Sequence, residues 1–271
     1  MSIGFSITFN LDRRILSKTL RSFKKDPYLN ERSLMSEIGV GITKAKAYIQ
    51  WVRMIGLRDN KKRKLTKLTE LLLKYDPYLN SLISQWIIHY QLAQNKDAEV
   101  WYHLTNTFLP NKISFSYKEA LNSLKDYKIG INSQKHLKVD IMIYLKALTS
   151  KDGLGEINFL KILKNSIYIK TNPVGIDPLL IAFVIYDQNR KKYPKKYPYI
   201  STISIDSILA DNGNAGKIFI LNREKLNKIL DLLKFEAILD VSHTADLDQV
   251  GFIYKESPYN ILEKCYKRLR R

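Results

Sequence analysis

Basic and amide side chains recur at regular intervals in the N-terminal quarter of the chain. Over residues 42–57 the apolar positions at helical spacing are Ile42, Ala45, Ile49 and Val52. The opposite face of this predicted helix presents Lys44, Lys46, Gln50 and Arg53. Lysine and arginine contact phosphates or guanine edges, and glutamine pairs with adenine in the major groove. This chemistry favours a duplex nucleic acid as the ligand over an ordinary solvated helix face.

A basic turn follows this helix. It begins at Arg58 and contains four consecutive cations that suit a phosphate backbone or a minor groove, namely Lys61, Lys62, Arg63 and Lys64. A short helix and the glycine turn Gly39-Val40-Gly41 precede the basic helix, and a helix over 66–75 follows the basic turn. This order predicts a winged helix-turn-helix. Winged helices also bind proteins, so the fold alone does not decide the partner.

Residues 116–150 repeat the same pattern. Ser116 can cap a helix over 117–127, Gly130 makes the turn, and Ser133 can cap a helix that reaches Thr149. Lys135 and Lys138 then form either a second DNA contact or, equally well, a plain exposed face. The inward side of this second helix is expected to consist of Val139, Met142, Ile143 and Leu145.

Other elements follow from apolar periodicity and capping residues. Further helices are predicted at 11–23, 81–94, 101–108, 177–188 and 205–209, and from Asn222 to Leu233. Strands are predicted at 167–170 and 217–221, and a hairpin at 238–241 and 250–254. The pentapeptide Asp-Pro-Tyr-Leu-Asn occurs at 26–30 and 76–80, which we interpret as two uses of one helix-start device rather than an internal repeat.

The basic run Arg190–Tyr199 contains two prolines and predicts an extended connector. A charged linker is favoured for it over a segment that stacks bases. Four parts are therefore predicted: an N-terminal winged helix-turn-helix module (1–80), a helical core with a second helix-turn-helix-like unit (81–188), the connector (189–199) and a small winged-helix-like α+β module (200–271). The predicted fold class is mainly α with small β-hairpins, with several winged-helix-like modules around a helical core.

Composition supports a polyanionic partner. The 271 residues carry a net charge of +19, which strengthens contacts to phosphates, although AT-rich coding also enriches lysine. The single cysteine, Cys265, excludes an internal disulfide and a cysteine-based metal cluster. Neither an apolar run of membrane-spanning length nor a secretory signal is evident. A cytoplasmic location without membrane contact is expected.

No catalytic motif stands by itself in the sequence. The four histidines lack the spacing of a metal site, and His89 and His103 are expected to be hydrogen-bonded core residues. Asp240, Asp246 and Asp248 are explained equally well by turn chemistry. The segment 213–217 is rich in glycine but lacks the Gly-Lys-[Ser/Thr] sequence of a P-loop.

The chain resembles the domain-of-unknown-function family 4007 (DUF4007) over nearly its whole length. The motifs that carry the resemblance are Ile38-Gly39-Val40-Gly41 before a basic helix with Trp51 and a Gly56-Leu57 end, Asp76-Pro77-Tyr78-Leu79, Trp86-Ile-Ile-His89-Tyr90-x-Leu92-Ala93, Trp101-Tyr102 and Ala215-Gly216-Lys217-Ile-Phe219. Members tend to open with Phe-x-Gly-His-Glu-Thr-Phe, whereas this chain has Phe5-Ser6-Ile7-Thr8-Phe9 and lacks the His-Glu pair.

The resemblance implies a place in DNA phosphorothioation and phage-defence loci. The partners that it implies are DNA, a cysteine desulfurase, a sulfurtransferase similar to phosphoadenosine-phosphosulfate reductase, and an ATPase. In Ssp-type systems a similar protein is implicated in nicking DNA. The missing His-Glu pair favours binding without cutting, and no cofactor is expected unless the chain is a nickase, which would use Mg²⁺.

Four hypotheses remain open from the sequence. A DNA-binding subunit of such a system predicts duplex binding with a steep salt slope and no cutting. A metal-dependent nickase predicts Mg²⁺-dependent opening of supercoiled plasmid. A winged-helix transcription regulator predicts one palindromic site and a homodimer. A scaffold for acidic proteins predicts partner binding that nuclease treatment does not disturb.

Overall fold

The computed structural model describes residues 9–59, 61–125, 134–194, 202–244 and 247–269, and describes only the backbone of Gln134, Lys135, Asn165, His243, Thr244 and Leu247. In these residues the helices are α1 (Arg13–Lys25), α2 (Glu31–Ile38), α3 (Ile42–Met54), α4 (Lys67–Tyr75), α5 (Leu82–Gln94), α6 (Glu99–His103), α7 (Tyr117–Lys125), α8 (Gln134–Thr149), α9 (Pro178–Lys192), α10 (Ile205–Ala210), α11 (Ala215–Ile218), α12 (Arg223–Phe235) and α13 (Pro258–Arg268). A π-helical turn, Leu104–Phe108, continues α6.

The strands are short and form three antiparallel sheets. They are β1 (Arg58–Asp59), β2 (Lys64–Leu65), β3 (Ser114–Ser116), β4 (Leu160–Ile162), β5 (Ile167–Lys170), β6 (Thr202–Ser204), β7 (Asp240–Thr244) and β8 (Leu247–Gly251). The orders are β1-β2, β3-β5-β4 and β6-β8-β7. The predicted fold class, mainly α with small β-hairpins, is confirmed. No helix of the described segments is both long and apolar enough to cross a membrane.

Each of the three sheets contains a hairpin that comes directly after a group of helices in the chain. In both three-stranded sheets, the strand before the helices pairs with the second strand of the hairpin. Phe115 of β3 thus lies opposite Tyr168 of β5, and Ile203 of β6 lies opposite Val250 of β8. Phe5 and Ile7, and the predicted turn at 126–133 with Gly130 and Ser133, fall outside the described residues.

Side-chain caps set the starts of the helices, as the sequence predicts. Asn30 accepts hydrogen bonds from the backbone of α2, Ser81 from α5, Asp177 from α9 and Asn222 from α12. In the Asp-Pro-Tyr-Leu-Asn segments the aspartates bond to their own turns, since Asp26 accepts from the Tyr28 N–H. The corresponding bonds of the second copy run from the Asn80 and Ser81 N–H groups to Asp76. The helix-start interpretation of the repeated pentapeptide is confirmed.

The chain divides into two compact units, Met1–Val174 and Gly175–Arg271. The sequence placed its main boundary after α9, but the division precedes this helix because α9 packs against α12 and α13 of the second unit. The predicted connector also begins later than expected, because α9 extends to Lys192. Arg190 and Lys191 lie in the last turn of α9, where both pair with the buried Asp187, and residues 195–199 fall outside the described residues.

Helix α5 forms the centre of the first unit and is buried along nearly its whole length. The rings of Trp86 and His89 both pack against Phe159. The indole of Trp101 donates a hydrogen bond to Nδ1 of His89 at 3.3 Å and packs edge-on against Tyr144. The helices predicted at 81–94 and 101–108 are therefore present, and they pack against each other.

In the second unit, the prediction of a strand at 217–221 is wrong. Residues Ala215–Ile218 form α11, because the side chain of Asn214 caps the Ala215 N–H at 2.9 Å and turns the chain into a helix. Gly216 is needed for close packing here. A Cβ atom at this position would lie 2.4 Å from the backbone of Leu209 at the end of α10.

Replacing Gly216 by alanine is expected to destabilise the protein by about 1–3 kcal/mol, because the new methyl group overlaps the backbone of Leu209, which must shift to admit it. Urea denaturation of Gly216→Ala measures this change. Gly41→Ala is the matched control, because a Cβ there meets nothing within 4 Å. Equal denaturation midpoints for the two variants would show that α10 and α11 are not held this closely.

Candidate nucleic-acid interface

Glycines place α3 between two sharp turns. Gly39 ends α2 in the left-handed region at φ +70°, and Gly56 follows α3 at φ +71°. Such backbone conformations carry little cost for glycine alone. One side of α3 is held in the core of the first unit by Tyr48 and Trp51, which are fully buried. The opposite side is therefore fixed toward solvent.

Three of the predicted contact residues share this outer face. Lys46, Gln50 and Arg53 follow one another at helical intervals; Lys46 and Arg53 are exposed and Gln50 is half-buried. The expected inward set is only partly correct. Ala45 and Val52 are buried, but Ile42 is exposed and Ile49 is half-buried beside the cationic face.

Lys44 lies on the other side of α3. It stands two residues before Lys46, which turns it by about 200° around the helix axis. Its ammonium is 6.0 Å from the centroid of the Phe9 ring. The carbonyl of Phe9 accepts a hydrogen bond from the Trp51 indole at 3.2 Å, so the N-terminal segment covers this side of α3. The structure does not bring Lys44 together with the other three residues.

The basic turn forms the tip of the β1–β2 hairpin. The carboxylate of Asp59 accepts hydrogen bonds from the backbone N–H groups of Lys61 and Lys62 at 3.0 and 3.1 Å. Arg63 adopts a left-handed conformation, with φ +51°, and closes the turn. All four cations of this tip are exposed: Lys61, Lys62, Arg63 and Lys64.

Arg58, by contrast, is used inside the first unit. Its guanidinium lies 4.3 Å from the centroid of the Phe23 ring and donates a hydrogen bond to the carbonyl of Pro27. Partial burial lowers the pKa of Arg58 below its ordinary value. The contacts of Arg58 fix the base of the hairpin against the end of α1.

The second predicted contact region lies on α8. Lys138 is exposed, whereas the side chain of Lys135 falls outside the described residues. Ile143 and Leu145 are buried as expected, and Val139 is half-buried. The inward prediction for Met142 is wrong, because the residue is exposed between Lys138 and Lys146 on the outer row of this helix.

Ion pairing separates these cations from two arginines of the second unit. Within the residues that the structure describes, no carboxylate pairs with Lys46, Arg53 or the four cations of the hairpin tip. In the second unit, Arg223 pairs with Asp206 and Asp248, and Arg268 pairs with Asp177 and Glu236. Most of the net charge of +19 also belongs to the first unit. Lys46, Arg53 and the hairpin tip thus carry positive charge that no carboxylate of the described residues neutralises.

The sequence missed two exposed aromatic residues of the first unit. Tyr28 and Tyr78 occupy the same place in the two pentapeptides, and an arginine guanidinium lies over each ring. The repeated pentapeptide was the available signal, but repetition alone does not show which side chain remains in solvent.

The remaining chemical candidates have structural roles. His89 and His103 are buried, which confirms the prediction, and burial lowers the pKa of His103. Asp240 pairs with Lys234, and Asp248 pairs with Arg223. In the described part of the chain, no three side chains of His, Cys, Asp or Glu lie together as a metal-binding group.

Comparison with known proteins places this geometry in context. The model of a family described as "Protein of unknown function (DUF4007)" matches residues 7–266. No curated protein matches the chain in sequence. Two solved structures are similar in fold, a magnesium ion-bound SspB crystal structure and an SspB crystal structure. Each has a TM-score of 0.77 and 17% identity, and covers 99% of this chain and 89% of its own.

Proposed function

Because this chain belongs to the DUF4007 family, we propose that it is the DNA-binding component of a DNA phosphorothioation and phage-defence system. In this proposal the outer face of α3 and the hairpin tip contact duplex DNA together. The helices α2 and α3 with the β1–β2 hairpin then act as a winged helix-turn-helix. The similarity in fold to SspB supports this assignment to a sulfur-modification system.

The proposal depends on one observation. The exposed cations of α3 and the hairpin have no carboxylate partner among the described residues. A cation that is already paired gains less from a phosphate, because it must first give up its carboxylate. Lys46 and Arg53 have no carboxylate partner to give up, so binding a phosphate does not cost them an ion pair. Gln50 lies between them and supplies an amide that can pair with adenine in the major groove.

The partners in this proposal are DNA and the other proteins of the system, namely a cysteine desulfurase, a sulfurtransferase and an ATPase. Lys135 and Lys138 of α8 are proposed as a second DNA contact. Support for the protein partners comes from the family resemblance, whereas support for the DNA contact comes from the charge distribution of the first unit.

The direct test is binding of the full chain to a labelled blunt duplex, measured by fluorescence anisotropy over a series of salt concentrations. Saturable binding with a steep negative salt slope is expected, since each phosphate contact releases counterions. Failure to bind the duplex at low salt would overturn the proposal.

Neutralising the hairpin tip is expected to flatten this salt dependence. Replacing Lys61, Lys62, Arg63 and Lys64 by glutamine removes up to four phosphate contacts, and each contact contributes about 0.9 to the log–log slope. The control is Arg223→Gln with Lys228→Gln, because both of those cations are already paired with carboxylates. An unchanged slope in the tip variant would show that the hairpin faces away from the DNA.

Magnesium-dependent nicking is the second candidate, and the similarity in fold to a magnesium ion-bound SspB structure favours testing it. The described residues do not bring together three side chains of His, Cys, Asp or Glu that could hold Mg²⁺. Supercoiled plasmid incubated with Mg²⁺ is expected to be retarded but to stay closed. Conversion to the open circle that a chelator prevents would favour the nickase. One preferred palindromic site bound by a homodimer would favour a transcription regulator instead.

A further inference from the structure

Two tyrosine rings stand at the surface of the first unit, one in each Asp-Pro-Tyr-Leu-Asn turn. Tyr28 is 66% exposed and Tyr78 is 57% exposed. The guanidinium of Arg63 lies 5.8 Å from the centroid of the Tyr28 ring, and that of Arg21 lies 4.9 Å from the Tyr78 ring. A guanidinium in this position orients the ring by a cation–π contact and leaves most of the residue open to solvent.

The turns themselves force these rings outward. Asp26 and Asp76 use their carboxylates on the backbone of their own turns. Leu79, which follows Tyr78, is fully buried and anchors the second turn. The hydrogen bonding of both turns, together with the burial of Leu79 in the second turn, therefore leaves each tyrosine ring at the surface.

Helix α1 connects the two rings. The hydroxyl of Ser17 donates a hydrogen bond to the carbonyl of Pro77 at 2.7 Å, so the second turn lies along α1. Arg21 and Lys25 are one helical turn apart on α1, about 6 Å along its axis. Tyr28 follows three residues after the end of this helix, and Arg63 belongs to the hairpin tip.

The contact of Arg21 with Tyr78 joins one ring to α1, and the contact of Arg63 with Tyr28 joins the other ring to the proposed duplex-binding hairpin. We call these four residues, together with Lys25 of α1, the tyrosine strip: Tyr78, Arg21, Lys25, Tyr28 and Arg63. Among the residues that the structure covers, none of its three cations is paired with a carboxylate. The strip thus combines exposed aromatic faces with free positive charge.

We propose that the tyrosine strip binds unpaired bases of DNA, so that the protein recognises a junction between duplex and single strand. This inference rests on the proposed function, which places the duplex on α3 and the hairpin. Bases inside a duplex are stacked on their neighbours and do not reach these rings. Unpaired bases stack on tyrosine regardless of their identity, while Arg21, Lys25 and Arg63 contact the phosphates between them.

The test compares two DNA probes with the full chain. One is a blunt duplex, and the other is the same duplex with a single-stranded extension of about ten nucleotides, within the usual range for such sites. The wild-type chain is expected to bind the extended probe more tightly. The double variant Tyr28→Leu/Tyr78→Leu is expected to lose roughly 10- to 100-fold in affinity for the extended probe, because each stacked base contributes to binding. Its affinity for the blunt duplex stays unchanged.

Phenylalanine at both positions keeps the aromatic faces and is expected to retain wild-type binding. Tyr254→Leu is the matched control, because Lys264 lies over this ring too, at 4.6 Å, but Glu256 accepts a hydrogen bond from its hydroxyl and repels phosphate. No loss of affinity is expected from this control. Circular dichroism verifies that all variants are folded.

The outcomes separate the two proposals. The tyrosine strip is overturned if the wild-type chain binds both probes equally, or if the leucine variant binds the extended probe as tightly as wild type. In either case, binding of the blunt duplex leaves the proposed function intact. If the chain binds the extended probe only when the tyrosines are present and does not bind the blunt duplex, the strip is supported and the duplex site is overturned.

Discussion

Reversing the charge of Lys46 and Arg53 together is expected to abolish duplex binding. Both residues are exposed on the outer face of α3 and lack carboxylate partners among the described residues. A hydrogen bond to a charged group contributes about 1.5–3 kcal/mol, so removing two such contacts and adding two repulsive charges weakens binding by roughly 100-fold or more. An electrophoretic shift assay with the Lys46→Glu/Arg53→Glu variant measures this loss.

Lys44→Glu is the control for this prediction. Lys44 belongs to the same helix and carries the same charge, but it lies over Phe9 on the covered side. Its reversal is expected to leave most duplex binding intact. If Lys44→Glu weakens binding as much as the double variant does, net charge rather than the outer face of α3 governs binding. Full retention by the double variant would refute this interface.

Removing the side chain of Arg13 is expected to produce the largest loss of stability. Its guanidinium donates to the carbonyls of Leu79 and Lys151 at 2.9 and 2.7 Å, and it pairs with Glu156 at 2.6 Å. These bonds connect α1 with the chain before α5 and with the loop after α8. Arg13→Leu leaves all three acceptors without this donor, although Gln85 still donates to Glu156.

The expected cost is about 3 kcal/mol, the lower end for breaking a buried ion pair, because Glu156 is partly open to solvent. Denaturant unfolding gives the free energy. Arg14→Leu is the adjacent control. Arg14 is largely exposed and pairs with Asp12 and Asp152, and such surface pairs contribute little to stability. Similar losses of unfolding free energy for the two variants would mean that the hydrogen bonds of Arg13 contribute no more to stability than a surface ion pair.

Much of the secondary structure was predictable because its signals are local. Asn30, Ser81 and Asn222 cap helices where the sequence placed them, and each bond reaches only two or three residues along the chain. The same signal was overlooked at Asn214. There an apolar run resembled a strand, while the side chain of Asn214 started a helix one residue later.

The candidate site was predictable in its residue types but only partly in its arrangement. The sequence identified α3 and the hairpin tip, yet it grouped Lys44 with Lys46 and treated Arg58 as a DNA contact. Lys44 is separated because the segment at Phe9 docks on its side of the helix. Arg58 does not point to DNA, because its guanidinium lies over the ring of Phe23 in α1 and donates a hydrogen bond to the carbonyl of Pro27.

The sequence by itself determined the family, the excess of positive charge, and the places where helices begin, because composition and caps depend on residues close together in the chain. Only the tertiary structure decided which cations remain free. Whether a lysine or arginine meets a carboxylate, an aromatic ring or solvent depends on segments that lie far away in sequence, and packing alone brings those segments together.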